Sequence, residues 1–221
     1  MAPANIGLAY SFLRQICRPD KEYPADRVNS LYFDTVDLDQ YQKSESGEFR
    51  KNKVRIRWYD SDIKETADIP VYVELKSREG FASRKQRRKF MVPQQALNPA
   101  NLHNGILDKT TIIHTLASFG HFLEKPFRPV IVISYHRYRF SEMQTGVRVS
   151  FDSDIRARVV ATDLGPSSEV RLNDSVIEVK GPSLELPLTL RRLRFLDVVW
   201  SRFSKYGNCL DAHFSRTAVF D

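Results

Sequence analysis

Apolar residues recur at helical spacing in three places along the chain. Ile6, Tyr10, Leu13 and Ile16 share one face and predict a helix from Ile6 to Cys17, ended by the Asp-Lys-Glu-Tyr-Pro stretch at 20–24. Ile112, Ile113, Leu116 and Phe119 predict a second, running from an N-cap at Asp108 to Glu124. Leu190, Leu193, Leu196, Val199 and Phe203 predict a third after Pro187. Between them the period changes to two. Segments rich in Val, Ile, Tyr and Phe alternate with polar residues at about 28–34, 52–60, 70–77, 85–92, 130–140, 146–152, 156–162, 168–172 and 175–181. Strands in succession with few helices predict an α+β fold built on an all-antiparallel sheet. A nucleotide-binding βαβ fold needs helices between most strands, and this pattern lacks them.

The polar positions of these strands carry an unusual chemistry. Residues i and i+2 of a strand share a face. Lys53, Arg55 and Arg57 therefore stand together, opposite Val54 and Ile56, and Glu74 stands with Lys76, opposite Val73 and Leu75. Tyr135, Arg137 and Arg139 form another such row, as do Arg148, Ser150 and Asp152, and Glu178 with Lys180. Any one strand is accounted for by a core face and a solvated face. As a set they are distinctive, because the polar positions are mostly Arg, Lys and Glu rather than Thr, Ser and Gln. Were these faces to converge, as in a closed barrel, cations would surround a cavity holding a few carboxylates. Guanidinium and ammonium groups in that arrangement bind a chain of phosphates. Carboxylates are poor neighbours for phosphate unless a divalent metal lies between them, so the lining points to a metal–triphosphate site.

Composition narrows the class. Of 221 residues 42% are hydrophobic and 28% charged, which excludes a disordered or collagen-like chain. The length suits one domain with a sizeable core or at most two small ones, and a single domain, 1–221, is expected. The net charge of +7 favours an anionic partner. No apolar run is long enough to span a membrane, and the first residues lack the basic and apolar stretches of a secretory signal, so a cytoplasmic domain without a membrane segment is expected. Cys17 and Cys209 alone make neither a disulfide framework nor a thiolate metal site. The histidines show no zinc spacing, Asp37 and Asp39 fit a turn, and no Gly-x-x-x-x-Gly-Lys loop is present. The basic run Arg84 to Lys89 is a nucleic-acid candidate in isolation, though alternation in a strand accounts for part of it, and no specific nucleic-acid partner is expected.

A series of segments in order carries a resemblance. They are Ser30-Leu31-Tyr32-Phe33-Asp34-Thr35, the strand from Lys53 to Tyr59, Val73-Glu74-Leu75-Lys76, Lys85-Gln86-Arg87-Arg88, Tyr135-His136-Arg137, Val147 to Asp152, Ile177-Glu178-Val179-Lys180 and Phe203-Ser204-Lys205-Tyr206. Over about residues 6 to 210 the chain resembles the VTC domain, the polyphosphate polymerase domain of the vacuolar transporter chaperone family and its bacterial relatives. That family belongs to the CYTH-like triphosphate tunnel metalloenzymes. The resemblance implies a tunnel-shaped antiparallel β-barrel with a few packed helices. It also implies transfer of the terminal phosphate of ATP onto polyphosphate with Mn²⁺ or Mg²⁺. Alternatives within the same fold are an inorganic triphosphatase and a non-catalytic polyphosphate-binding module.

By this resemblance Arg55, Arg57, Lys76, Arg137 and Lys180 match tunnel bases, and Lys205 matches a lysine that contacts the phosphate chain. Further phosphate-binding candidates are Lys43, Lys53, Lys85, Arg88, Arg139 and Arg148. Glu178 matches the metal-binding acid, and Glu74 and Asp152 are placed to ligate metal or to orient an arginine. The pattern departs at its start. Family members begin with a charged strand of the type Glu-x-Lys, whereas only Met1 to Asn5 precede the first helix here. One tunnel wall is therefore expected to be short, missing, supplied by another chain or cut away.

Overall fold

Thirteen regular elements account for most of the described chain. They are α1 (Ile6–Ile16), β1 (Cys17–Pro19), β2 (Ala25–Thr35), α2 (Asp39–Glu45), β3 (Arg50–Tyr59), β4 (Ile69–Glu79), β5 (Ala82–Val92), α3 (Lys109–Ser118), β6 (Phe127–Glu142), β7 (Arg148–Val159), β8 (Glu169–Arg171), β9 (Val176–Lys180) and α4 (Lys205–Thr217). The computed structural model describes residues 5–63, 68–182, 185–196 and 198–217, with Thr217 described by its main chain alone. Met1 to Ala4, on which the expectation of a missing first strand rests, lie outside these. The strands pair in the order β5-β4-β3-β2-β6-β7-β8, with β1 also on β6 and β9 on β7. This is the expected α+β architecture with an antiparallel sheet, and its path is open at β5 and β8 among the described residues. Among those residues no helix is long and apolar enough to cross a membrane.

Two compact units divide the chain. The larger comprises Asn29–Ile133, Ala157–Val170 and Ser204–Asp221. Its core follows from strand alternation: Val54 and Ile56 of β3 stand opposite Leu75 and Val73 of β4. These, with Leu31, Phe33, Trp58 and Val71, meet Ile112 and Leu116 of α3. The smaller unit comprises Met1–Val28, Ser134–Arg156 and Arg171–Phe203. There Leu13 and Cys17 pack with Phe140, Val149, Phe151, Leu190 and Leu193. The Tyr10 ring of α1 lies 4.7 Å from Tyr138, centroid to centroid.

The elements meet the periodicity at some points and depart from it at others. Asp108 caps α3, its side chain accepting from the Thr111 N–H at 2.8 Å. The helix then stops at Ser118 rather than Glu124. Gly120 takes φ +79°, its N–H donates to the Ala117 carbonyl, and the His121 N–H donates to that of Leu116. That is a Schellman stop, which only the glycine announces. The helix expected after Pro187 is instead a 3₁₀ segment over 190–196, and the α-helix begins at Lys205. Leu190, Leu193 and Leu196 are three apart, the repeat of a 3₁₀ turn, while Val199 is 79% exposed and cannot belong to a buried stripe. The strands expected at 146–152 and 156–162 are one strand, β7, with Asp154 at φ +49° inside it. The short β1 and α2 were not foreseen.

Candidate phosphate-binding site

In the larger unit the register of β3, β4 and β5 assembles one charged face. Lys53, Lys76 and Lys85 form a cross-strand row, followed by Arg55, Glu74 and Arg87, then Arg57, Tyr72 and Lys89. Nine positions thus hold seven cations, one carboxylate and one phenol. Like charges directly opposite across a sheet destabilise it, so this face is built at a cost to the fold. Glu74, 1% exposed, stands at its centre. Its Oε2 accepts from Arg55 Nε at 2.9 Å and lies 3.9 Å from Arg57, and its Oε1 lies 2.6 Å from Lys85 Nζ. Burial alone would raise the Glu74 pKa, but Arg55, Arg57 and Lys85 hold it down to about 2.

Neighbouring residues orient these cations. Arg55 donates to the Tyr32 hydroxyl at 2.9 Å and Arg57 to Ser30 Oγ at 3.2 Å. Tyr32 stacks on Tyr206 of α4 with centroids 5.1 Å apart, and the Tyr206 hydroxyl donates to buried Asp34 at 2.8 Å. Ser204 caps α4, its Oγ accepting from the Gly207 N–H at 3.1 Å and from Lys53 Nζ at 2.6 Å. Burial, with Lys76 assisting, lowers the pKa of Lys53. The Arg87 guanidinium lies over the Tyr72 ring, 3.8 Å from its centroid, a cation–π contact that holds its charge on this face.

In the smaller unit a second cluster forms on β6, β7 and β9. Arg137 forks onto Asp152, Nε to Oδ1 at 2.6 Å and NH2 to Oδ2 at 2.7 Å, and reaches Glu178 Oε2 at 3.3 Å. Burial opposes the Arg137 charge, but Asp152 and Glu178 outweigh it and hold its pKa above the ordinary value. Lys180 Nζ lies 3.2 Å from Glu178 Oε1. Arg148 stands across the strand pair from Lys180, and both line a cavity of about 340 Å³ with Thr145, Gly146, Val147, Gly181 and Pro182. Guanidinium and ammonium groups at its wall suit an anion.

The family model of the VTC domain matches residues 10–214, almost the whole chain. The chain belongs to the VTC domain family. The expected VTC membership is met. Among solved structures, a candidate adenylate cyclase of Bacillus halodurans superposes with a TM-score of 0.52 at 15% identity, over 92% of this chain and 89% of its own. The likeness is one of fold. An adenylyl cyclase candidate of Hippeastrum, described as having a dominant triphosphatase activity, gives a TM-score of 0.47 at 17% identity, over 96% and 91%. No curated protein matches.

In this VTC domain the residues expected from the sequence divide between the two clusters. Lys53, Arg55, Arg57, Glu74, Lys76 and Lys85 come together on the β3-β4-β5 face, and Arg137, Arg148, Asp152, Glu178 and Lys180 on β6, β7 and β9. Lys205 is the first residue of α4, next to the Ser204 that holds Lys53. Two residues are placed elsewhere, and a third, Arg139, shares the Arg137 face of β6 but is held by a main-chain carbonyl. Arg88 pairs with Val73 and so occupies the opposite face of β5 from Lys85. Lys43 is exposed on α2. Arg139 donates to the Tyr23 carbonyl at 3.1 Å. Arg87, Lys89, Tyr72 and Tyr32, which are not among the expected site residues, also stand at the β3-β4-β5 face. Alternation from Lys85 was a sufficient signal for Arg87 and Lys89, whereas only packing reveals Tyr32.

The three acids expected to hold metal differ in their surroundings. Glu74 is enclosed by cations, and both oxygens of buried Asp152 accept from Arg137. Glu178 is 36% exposed, and its contacts of 3.2 and 3.3 Å are long for charge-assisted bonds. Among the described residues no group of three or more His, Cys, Asp or Glu is placed to hold a metal ion. The donor set fits a hard divalent ion that takes one carboxylate from the protein and its remaining ligands from substrate oxygens and water.

Proposed function

We propose that this VTC domain carries out phosphoryl transfer on triphosphate and polyphosphate, with ATP as the donor and a polyphosphate end as the acceptor. The observation that supports it is the β3-β4-β5 face, where seven cations surround Glu74 alone. An anion on this face relieves the repulsion between Lys53, Lys76 and Lys85 that folding imposes. Arg55, Arg57, Lys76 and Lys85 hold phosphate oxygens there, and Glu74 fixes the direction of Arg55 and Lys85. Arg137, oriented by Asp152, holds phosphate with Arg148 and Lys180 in the smaller unit. Lys53 and Lys205, at the start of α4, add charge.

In the reaction an oxygen of the acceptor's terminal phosphate forms a bond to the γ-phosphorus of ATP, and the bond to the β–γ bridging oxygen breaks, releasing ADP. The protein's part is positioning and charge neutralisation. Glu178 would hold Mn²⁺ or Mg²⁺, which supplies further neutralisation of the phosphate oxygens.

The test is incubation of the purified chain with ATP and Mn²⁺, resolving products by chain length. Long chains with ADP support polymerase chemistry. Orthophosphate from tripolyphosphate without chain growth identifies a triphosphatase, and binding without turnover a polyphosphate-binding module. Lys76→Ala and Arg137→Lys are each expected to lower turnover by at least about tenfold, since either removes a phosphate contact or a bidentate fork. If neither variant changes turnover at saturating metal, the site assignment fails.

A further inference from the structure

The turn between β4 and β5 exposes an apolar tip that the phosphate face does not use. Phe81 is 95% exposed and Phe49, at the entry to β3, is 67% exposed. The two belong to one feature. Gly80 sits at φ +58°, and a β-carbon there would meet the Phe49 ring at 2.7 Å, so the ring lies against the turn that presents Phe81. The Gly80 N–H donates to the Phe49 carbonyl at 2.9 Å, tying the two segments together.

Glu48 and Glu79 flank the turn itself, while the strand that leaves it is one-sided in charge. β5 holds Arg84, Lys85, Arg87, Arg88 and Lys89 and no carboxylate. Lys85, Arg87 and Lys89 belong to the phosphate face, but Arg84 and Arg88 are on the other side of the strand and exposed. Arg50 is also exposed beside Phe49, paired with Glu79 at 2.9 Å. At the end of the sheet, β5 has β4 as its neighbour in the strand order. Its cations discourage pairing with another strand.

We infer that the β4–β5 hairpin docks on an anionic phospholipid surface, with Phe81 and Phe49 entering the acyl boundary and Arg84 and Arg88 meeting the lipid phosphates. A soluble polyanion satisfies the arginines but leaves a protruding phenyl ring in water. A bilayer takes both, and reversible membrane attachment needs both an apolar insertion and a basic patch.

Co-sedimentation of the full chain and of its Lys76→Ala variant with phosphatidylcholine vesicles, with and without 30 mol% phosphatidylserine (about the anionic content that gives a strong surface potential), tests this. The variant weakens the phosphate face and leaves the hairpin intact. Binding to the serine-containing vesicles is expected. Phe81→Ser is expected to weaken it by about tenfold or more, Phe81→Trp to preserve it, and Arg84→Ala with Arg88→Ala to weaken it by about tenfold or more. Absence of binding overturns the inference. So does binding that Lys76→Ala abolishes, which would place the lipid on the phosphate face. Binding indifferent to Phe81→Ser overturns it as well, as does capture of a duplex oligonucleotide that the arginine pair controls and Phe81 does not.

Discussion

Replacing Glu74 with Gln isolates the one carboxylate among the nine positions of the charged β3-β4-β5 face. The amide preserves the side chain's shape and removes its charge, leaving Arg55, Arg57 and Lys85 without the group that neutralises them. On folding the carboxyl's pKa falls from 4.5 to about 2, with burial opposing the change and the three cations producing it. At about 1.4 kcal/mol per unit of pKa, this corresponds to about 3 kcal/mol of stability. The side chain is 1% exposed, so solvent does little to screen it. Because the folded pKa lies below the unfolded one, the contribution is complete above pH 4.5 and is lost as the pH falls from 4.5 through about 2. Urea unfolding of both proteins, followed by circular dichroism at pH 7, 5, 4 and about 3, reads the difference directly. A gap of about 3 kcal/mol at pH 7 that closes toward pH 2 is expected. A gap below about 1 kcal/mol at pH 7, the size of an exposed ion pair, would refute the reasoning. So would a gap that does not change with pH.

Ser204→Ala removes the cap of α4 and the partner of Lys53, and is expected to cost about 1 kcal/mol in urea unfolding; an unchanged midpoint would show that the cap contributes nothing. Gly120→Ala meets no atom within 4 Å of the new β-carbon, so its expected cost of about 1–2 kcal/mol is the strain of an L-residue at positive φ alone. A stabilised variant would mean that the Schellman stop is wrongly placed. Burial, with Glu142 assisting, pushes the Cys17 thiol up to about 11, and burial pushes Cys209 up to about 12 with Lys205 opposing. Iodoacetamide at pH 8 should therefore leave both thiols unmodified, as mass spectrometry would show, until denaturant is added; rapid labelling of the native chain would contradict their burial.

The placement of charge on this chain was legible because a strand's side chains alternate whatever it pairs with. Lys53, Arg55 and Arg57 share a face in any register, and so do Arg137 and Arg139. The same rule could have separated Arg88 from Lys85, which are three residues apart, and could have added Arg87 and Lys89. Helix ends were less legible. Asp108 announced its own cap, whereas Gly120 had to be read as a stop inside an apolar stripe that continued past it. Leu190, Leu193 and Leu196 fitted an α-helical face as written and a 3₁₀ turn as folded.

By itself the sequence determined the α+β class, the succession of strands, the apolar face of each and the cationic face opposite. These follow from periods of two and 3.6, which are local. Tertiary structure alone decided what each charge meets. Whether Glu74 ligates metal or orients Arg55 depends on the register of β3 against β4 and of β4 against β5. Whether Lys53 finds Ser204, 151 residues away, depends on where α4 packs. Pairing energies are set by distances of 3 to 4 Å between groups far apart in the chain, and alternation along one strand carries no information about those distances.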